Sequence, residues 1–167
     1  VPGAPAHFTP YLIVNNVEGL APGAYAVQAE DQALEPLRLG DARSVADRLA
    51  CDQAYAATAQ VNAYALTDLE PVLAHFGNRG YRLAQLEAAL FGAKLQLAAH
   101  ALGLGAVGLT SYDDEVTAFF SPHAAGRSNG SSHRGEATGR PRAGFTATTS
   151  TDTTSAYSFG ASHRARG

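Results

Sequence analysis

The feature that most constrains the fold is a long stretch of leucine and alanine at residues 79–102. Its leucines fall at helical spacing with alanines between them: Leu83, Leu86, Leu90, Leu97 and Leu102. This pattern predicts one long helix that buries a wide apolar face, and its small residues would let another helix or a flat ligand approach closely. Gly103 stands where a helix C-cap is expected, and Gly105 stands where a close approach to the following strand, residues 106–110, is expected.

The residues around this helix alternate between short strand and helix patterns. The predicted strands are residues 11–14, 25–28, 34–39 and 57–66, and the predicted helices are residues 42–54, 68–76 and 111–120. The arm at 34–39 is equally typical of a solvent-facing edge, and the alanines of 57–66 also suit a helix. Asp41 is the expected N-cap of the first helix, and Thr67 with Glu70 forms a capping box before the second.

The charge is unevenly distributed along the 167 residues, although the net charge is only −3. From residue 122 onward there are six arginines against Glu136 and Asp152, which leaves the preceding residues at −7. The single cysteine, Cys51, excludes an internal disulfide and a metal site built of cysteines alone, so we expect a reducing, cytoplasmic location. No apolar run approaches the roughly 20 residues that a membrane span needs, so we expect no membrane association.

The composition changes abruptly at residue 122. Residues 122–167 contain no leucine, isoleucine or valine and are rich in serine, threonine, glycine and arginine. Such a segment buries too little apolar surface to offset its ordering entropy, so we predict a disordered basic tail. Its arginines are not dense and its aromatic residues are few, which disfavours nucleic-acid binding. We therefore divide the chain into a linker-like lead-in (1–10), a folded domain (11–121) and this tail, and interpret it as a piece of a longer protein.

Isolated reactive side chains carry weaker signals. Cys51 is more typical of a small buried residue than of a nucleophile, because no histidine lies near it in sequence. Asp113 and Asp114 begin a predicted helix, where capping is the common role of acidic residues and metal binding or acid–base chemistry is the alternative. His75 and His100 are interpreted as surface or interface residues. We predict no metal site.

Four motifs, taken together and in order, resemble the nitroreductase family. They are VEGLAPGAY (17–25), LEPLRLGD (34–41), FGNRGYRLAQLEA (76–88) and LQLAAHALGLGAVGLTSYDDEV (95–116). The resemblance covers residues 8–121 and is strongest to the branch of SagB-type dehydrogenases, the flavin enzymes that oxidise azolines to azoles in peptide natural products.

The resemblance implies an α+β fold, with an antiparallel-rich sheet packed by helices around a long central helix. It also implies FMN as cofactor, bound at the interface of an intertwined homodimer or of a pair of nitroreductase-like subunits, and a small-molecule or peptide substrate. Carried onto this sequence, the cofactor-binding positions are Gly105, Gly108, Leu109, Thr110 and Ser111 along the ring, and Arg127 at the phosphate. Tyr81 and Arg82 are the candidate catalytic residues, and Glu87 beside them is a candidate for polar contacts with the substrate or at the interface. The alternatives are a solvated helix N-terminus for Tyr81 and Arg82 and an internal salt bridge for Glu87.

The sequence departs from the family pattern in two places. The Arg-rich motif that supplies much of the family's phosphate site would lie upstream of Val1, and the residues after SPHAAG (121–126) change as a shifted reading frame would change them. Two hypotheses therefore stand. The chain is an FMN-dependent oxidoreductase in fragment or truncated form, or it is a non-catalytic scaffold or decayed gene product that pairs without productive flavin chemistry.

Overall fold

The chain forms a six-stranded antiparallel sheet accompanied by five helices in the part that the structure, a computed structural model, describes: residues 7–121 and the backbone of Arg142–Ser150. The strands are β1 (Phe8–Val14), β2 (Gly23–Gln28), β3 (Ala33–Leu39), β4 (Val61–Asp68), β5 (Gly105–Leu109) and β6 (Arg142–Ser150), in the spatial order β3-β2-β1-β4-β6-β5. The helices are α1 (Arg43–Leu49), α2 (Ala54–Thr58), α3 (Leu69–Phe76), α4 (Arg79–Ala101) and α5 (Asp113–Phe120). The predicted α+β class with one long helix is confirmed.

The first three strands form an antiparallel meander. Tyr11 of β1 lies opposite Ala26 of β2 on one side and opposite Tyr64 of β4 on the other, which fixes the register at the centre of the sheet. Gly23 opens β2 where a Cβ atom would stand 2.5 Å from the Arg38 carbonyl oxygen, so this close approach to β3 requires glycine. β3 is the edge strand, and most of its residues are exposed, so the solvent-facing edge is also observed.

The main core lies where α1 and α5 cover the centre of the sheet. The Phe120 ring packs 4.7 Å from the Tyr11 ring and 5.4 Å from the Tyr64 ring, measured between centroids. Ile13 and Val116 belong to the same buried cluster. Aromatic side chains of this size supply much of the stabilising area in a small domain, and tilted rings at these distances add to it.

The face of α4 that packs against the rest of the protein carries small residues rather than the predicted leucines. Its buried residues are the small ones: Gly80, Ala84, Ala88, Gly92 and Ala99. Three leucines on the opposite side, which we call the leucine face, are exposed over most of their surface: Leu86 (57%), Leu90 (53%) and Leu97 (71%). At 100° per residue the two sets lie on nearly opposite sides of the helix, so both satisfy helical periodicity.

Small residues face inward because α4 lies close against its neighbours. A Cβ atom on Gly80 would stand 2.7 Å from the Val72 carbonyl oxygen of α3, so no larger residue fits there. Gly77 and Gly103, both at positive φ, end α3 and α4 as predicted. None of the helices in the described part of the chain has the length and hydropathy needed to span a membrane.

Several predicted boundaries are wrong by a few residues. The helix expected at 42–54 ends at Leu49, because Cys51 and Asp52 both adopt positive φ, and the shorter α2 follows it. β4 starts at Val61 because residues 54–58 are helical, as their alanines allowed. Thr67 belongs to β4, and the side chain that caps α3 is that of Asp68, which accepts from the Glu70 amide at 3.2 Å.

The sheet extends into both segments that were set apart from the folded domain. β1 begins at Phe8, inside the predicted lead-in. β6 lies between β4 and β5 and is paired with both, so residues 142–150 differ from the predicted disorder. This stretch contains three threonines, whose branched Cβ atoms favour extended backbone, and two flanking strands supply its ladder hydrogen bonds. The rest of the predicted tail lies outside the described residues.

Candidate functional site

The predicted cofactor-binding residues form the end of β5 and the turn that follows. We call residues 108–111 the rim. Gly108 is buried, Leu109 packs against the main core, and Thr110 and Ser111 are half-buried. Gly105 begins the same strand. The structure therefore brings five of the six predicted cofactor-binding residues together on one strand and turn, while Arg127 lies outside the described residues.

The rim is held by the end of α1. The Tyr112 amide donates to the Leu49 carbonyl oxygen at 3.0 Å, which satisfies one of the carbonyls left open at a helix C-terminus. The Gln53 amide nitrogen donates to the Thr110 hydroxyl at 3.2 Å and to the Ala50 carbonyl at 2.6 Å. These bonds tie the turn after β5 to the loop after α1.

The loop after α1 has a defined shape. The Asp52 amide donates to the Asp47 carbonyl (3.0 Å) and the Cys51 amide to the Arg48 carbonyl (3.2 Å), the two bonds of a Schellman motif. Cys51 occupies the position that usually holds glycine, with φ of 59°, and Asp52 follows at 58°. The left-handed region costs a side-chain-bearing residue about 1–2 kcal/mol, so this loop stores strain beside the rim.

Arg48 adds a second link between α1 and the turn. Its guanidinium makes a two-point bond to the Glu115 carboxylate, at 2.7 and 3.0 Å, and reaches the Asp52 carboxylate at 3.0 Å. It also lies 4.7 Å from the centre of the Tyr112 ring. The network is exposed, so it orients the turn more than it stabilises the fold.

Asp113, the first residue of α5, has the clearest electrostatic perturbation near the rim. Burial raises the pKa of its carboxyl to about 6, the Ser111 hydroxyl at 3.4 Å opposes that shift, and Asp114 adds to it. Asp113 is thus a carboxyl that titrates near neutrality two residues from the rim. Among the described residues, no group of three or more histidine, cysteine or acidic side chains could hold a metal ion.

The predicted catalytic residues lie far from Gly105. Tyr81 and Arg82 are exposed in the first turn of α4, and the Tyr81 hydroxyl accepts from Gln85 at 3.3 Å. The helix from Tyr81 to Ala101 is about 30 Å long, so these residues and the start of β5 stand at opposite ends of it. Glu87, five residues after Arg82, binds both the backbone amide and the ring of His7 at 3.0 Å, the internal pairing that was the alternative interpretation.

Sequence reasoning missed the two residues that hold the rim, Arg48 and Gln53. Both fall in the predicted helix at 42–54, whose pattern gives neither side chain a partner in the turn after β5. A glycine at position 51 would have indicated the end of α1 and a loop beside the rim, but the position holds cysteine. Their partners lie 57 residues away for Gln53 and 67 for Arg48, a separation that local patterns do not reveal.

Comparison with known proteins identifies the fold. No model of a protein family matches the sequence, and no curated protein does. Among solved structures, a candidate nitroreductase from Anabaena variabilis ATCC 29413 is similar with a TM-score of 0.71 and 25% sequence identity, over 86% of this chain and 26% of that one. A chain of the E. coli microcin synthetase McbBCD complex, solved with truncated pro-MccB17 bound, is similar with a TM-score of 0.65 and 18% identity, over 90% of this chain and 53% of that one.

These similarities establish a nitroreductase-like fold. The chain spans about a quarter of the length of the first structure's chain and about half of the second's.

Proposed function

We propose that this chain is part of an FMN-dependent oxidoreductase of the nitroreductase type. The observation that carries the proposal is the similarity, over 86% of the chain, to a structure described as a candidate nitroreductase. The motif resemblance favours the SagB-type branch, and with it a peptide that carries an azoline ring as substrate. A small molecule is the alternative substrate, and we keep the cytoplasmic location that the single cysteine favours.

The described residues suit the flavin ring better than its phosphate. Thr110 and Ser111 offer two half-buried hydroxyls beside the buried Gly108, a set of groups that matches the carbonyl and N–H edge of an isoalloxazine. The Arg43 guanidinium already donates to the carbonyls of Ala57 and Asn15, at 2.9 and 3.4 Å, and Arg48 is bound to two carboxylates. These two arginines are therefore engaged within the fold, and Arg127 stays the predicted phosphate partner.

A bound FMN would supply the hydride and electron chemistry, and the chain would supply orientation and electrostatics. The rim would orient the ring edge through its hydroxyls and main chain. Gly108 has no side chain to hold the ring away from β5. Asp113, whose carboxyl has its pKa raised to about 6, would accept a hydrogen bond from the Ser111 hydroxyl and so orient that hydroxyl beside the rim.

We also propose that two copies pair through the leucine face. Full burial of a leucine is worth about 1.5–3 kcal/mol, so covering the exposed parts of Leu86, Leu90 and Leu97 on both copies contributes roughly 5–11 kcal/mol. Association itself costs about 4–15 kcal/mol, which is comparable to this gain, so a stable dimer needs further contacts of the kind that an intertwined dimer would provide. Tyr81 and Arg82 would then act at a site completed by the second copy.

The test is flavin uptake by the purified full chain. We expect FMN to co-purify or to bind on titration, with quenched flavin fluorescence and a shifted visible spectrum, and sedimentation to report a dimer. A Leu90→Glu variant should be monomeric and bind FMN more weakly, whereas Leu39→Glu, which changes an exposed leucine on the edge strand, should do neither. A chain that dimerises but takes up no FMN would instead support the non-catalytic scaffold.

A further inference from the structure

We infer that Gln53 fixes the direction of the Thr110 hydroxyl, so that this hydroxyl donates a hydrogen bond to an acceptor on the ligand at the rim. Gln53 is then a positioning residue, since it acts on the ligand only through Thr110. The inference rests on the proposed flavin site and adds the hydrogen-bond polarity of its rim.

The orientation of the Gln53 amide follows from its contact with Ala50. Gln53 Nε2 lies 2.6 Å from the Ala50 carbonyl oxygen, which can only accept a hydrogen bond. The atom facing this oxygen must therefore be the amide nitrogen, because the amide oxygen would face it without a proton between them. The nitrogen has a second proton, and the Thr110 hydroxyl oxygen lies 3.2 Å away to accept it.

The polarity of Thr110 follows in turn. A hydroxyl has one proton and two lone pairs, and one lone pair is engaged by Gln53. The proton of Thr110 is therefore directed to a different acceptor. Thr110 directly follows the last residue of β5 and is half-buried, so a ligand lying along the rim can supply that acceptor.

Ser111 has the opposite polarity. Its hydroxyl donates to the Asp113 carboxylate at 3.4 Å, which leaves the Ser111 lone pairs to accept from a ligand. Two neighbouring residues thus offer one donor and one acceptor. The pyrimidine edge of an isoalloxazine alternates carbonyl oxygens with one N–H, so a donor beside an acceptor is the matching arrangement.

The loop geometry makes Gln53 suited to this role. The two Schellman bonds hold the backbone just before Gln53, and the Tyr112 amide bonded to the Leu49 carbonyl holds the turn just after Ser111. These backbone bonds hold the segments that carry Gln53 and Thr110 in place, so the hydrogen bond between the two side chains forms without a ligand.

The experiment measures binding of riboflavin and FMN to the full chain and to variants at positions 53 and 110. Riboflavin lacks the phosphate, so it reports on the ring alone. Gln53→Glu places a carboxylate that accepts the Thr110 proton, and Thr110→Val removes the hydroxyl. Thr110→Ser restores it, and Gln32→Glu, on the exposed β2–β3 turn, is the matched charge control.

We expect Gln53→Glu and Thr110→Val each to weaken riboflavin binding about three- to tenfold and to shift the bound flavin spectrum, since one hydrogen bond is worth about 1 kcal/mol. Thr110→Ser and Gln32→Glu should bind like the original chain. The double variant Gln53→Glu/Thr110→Val should be no weaker than Thr110→Val alone, because Gln53 acts through Thr110. Unchanged binding in Gln53→Glu, or losses that add in the double variant, would overturn the inference.

A separate readout distinguishes this inference from the proposed function. If the unaltered chain binds neither FMN nor riboflavin, the proposed function and the ligand-facing part of the inference both fail. The Gln53–Thr110 hydrogen bond is still tested in the ligand-free protein through the NMR signals of the Gln53 side-chain amide. These should be slow to exchange and should move in Thr110→Val but not in Thr110→Ser, whereas unmoved signals would refute the bond itself.

Discussion

Exchanging leucine and alanine on the two faces of α4 tests the reversed packing of this helix. Leu97 is 71% exposed, so it keeps only about three-tenths of the 1.5–3 kcal/mol that full burial gives, and Leu97→Ala should cost the single chain about 0.5–1 kcal/mol. Ala88 is 1% exposed, and Ala88→Leu adds three carbons to a filled contact, which should cost about 1–3 kcal/mol. Stability should thus be more sensitive to substitution at Ala88 than at Leu97.

The assay is urea denaturation followed by circular dichroism, with the midpoint compared at unchanged slope. Ala89→Leu is the matched control, because Ala89 lies next to Ala88 on the same helix and is exposed. Since Leu97 belongs to the proposed pairing surface, the comparison is made at a protein concentration where sedimentation shows a monomer. At higher concentration, Leu97→Ala should lose additional stability if the leucine face pairs.

The reasoning is refuted by the values that a buried leucine face would give. A loss of 2–5 kcal/mol for Leu97→Ala in the monomer is the range for a leucine in a core. Such a loss, or an Ala88→Leu variant as stable as Ala89→Leu, would mean that α4 packs through its leucines after all.

Two further predictions concern the residues around the rim. Cys51→Gly should stabilise the chain by about 0.5–1 kcal/mol, because glycine adopts the left-handed conformation without strain. Cys51→Ala should give no gain, and equal denaturation midpoints for the two variants would contradict this prediction. Asp113 has a folded pKa raised from 3.8 to about 6, so the unfolded chain releases this proton first and stability falls as pH rises from about 4 to about 6. Asp113→Asn should remove this part of the pH dependence. After allowance for solvent screening, the difference in unfolding free energy between the two proteins should change by about 1 kcal/mol over that window. Parallel pH profiles of the two proteins would contradict the raised pKa.

The parts of the fold that follow from local chemistry were predictable. Gly77 and Gly103 end helices because glycine tolerates positive φ, and the hairpin strands follow from alternation and turn residues. The end of α1 was not predictable, since Cys51 occupies a position where glycine would have given the signal.

The inward face of α4 depends on tertiary packing. Leucine and alanine share the helical period on this helix, and only the closeness of the neighbouring backbone, as at Gly80 against Val72, selects the small residues. β6 has no aliphatic side chains beyond alanine, so its strand depends on pairing with β4 and β5 rather than on a hydrophobic pattern. The rim residues were predicted from the family resemblance, but their polarity depends on Gln53, 57 residues away.

The position of β6 has a consequence for the order in which the chain can fold. β5 joins the sheet through β6, and β6 is encoded more than thirty residues after β5 ends. During synthesis from the amino terminus, β1 to β4 can pair and α4 can pack while the β6 residues are still inside the ribosome. The strand that carries the rim can join the sheet only after residues 142–150 have been synthesised, and pairings between such distant segments are slow to form. A ribosome stalled before residue 142 would therefore hold a chain with most of its sheet but with β5 not yet joined to it.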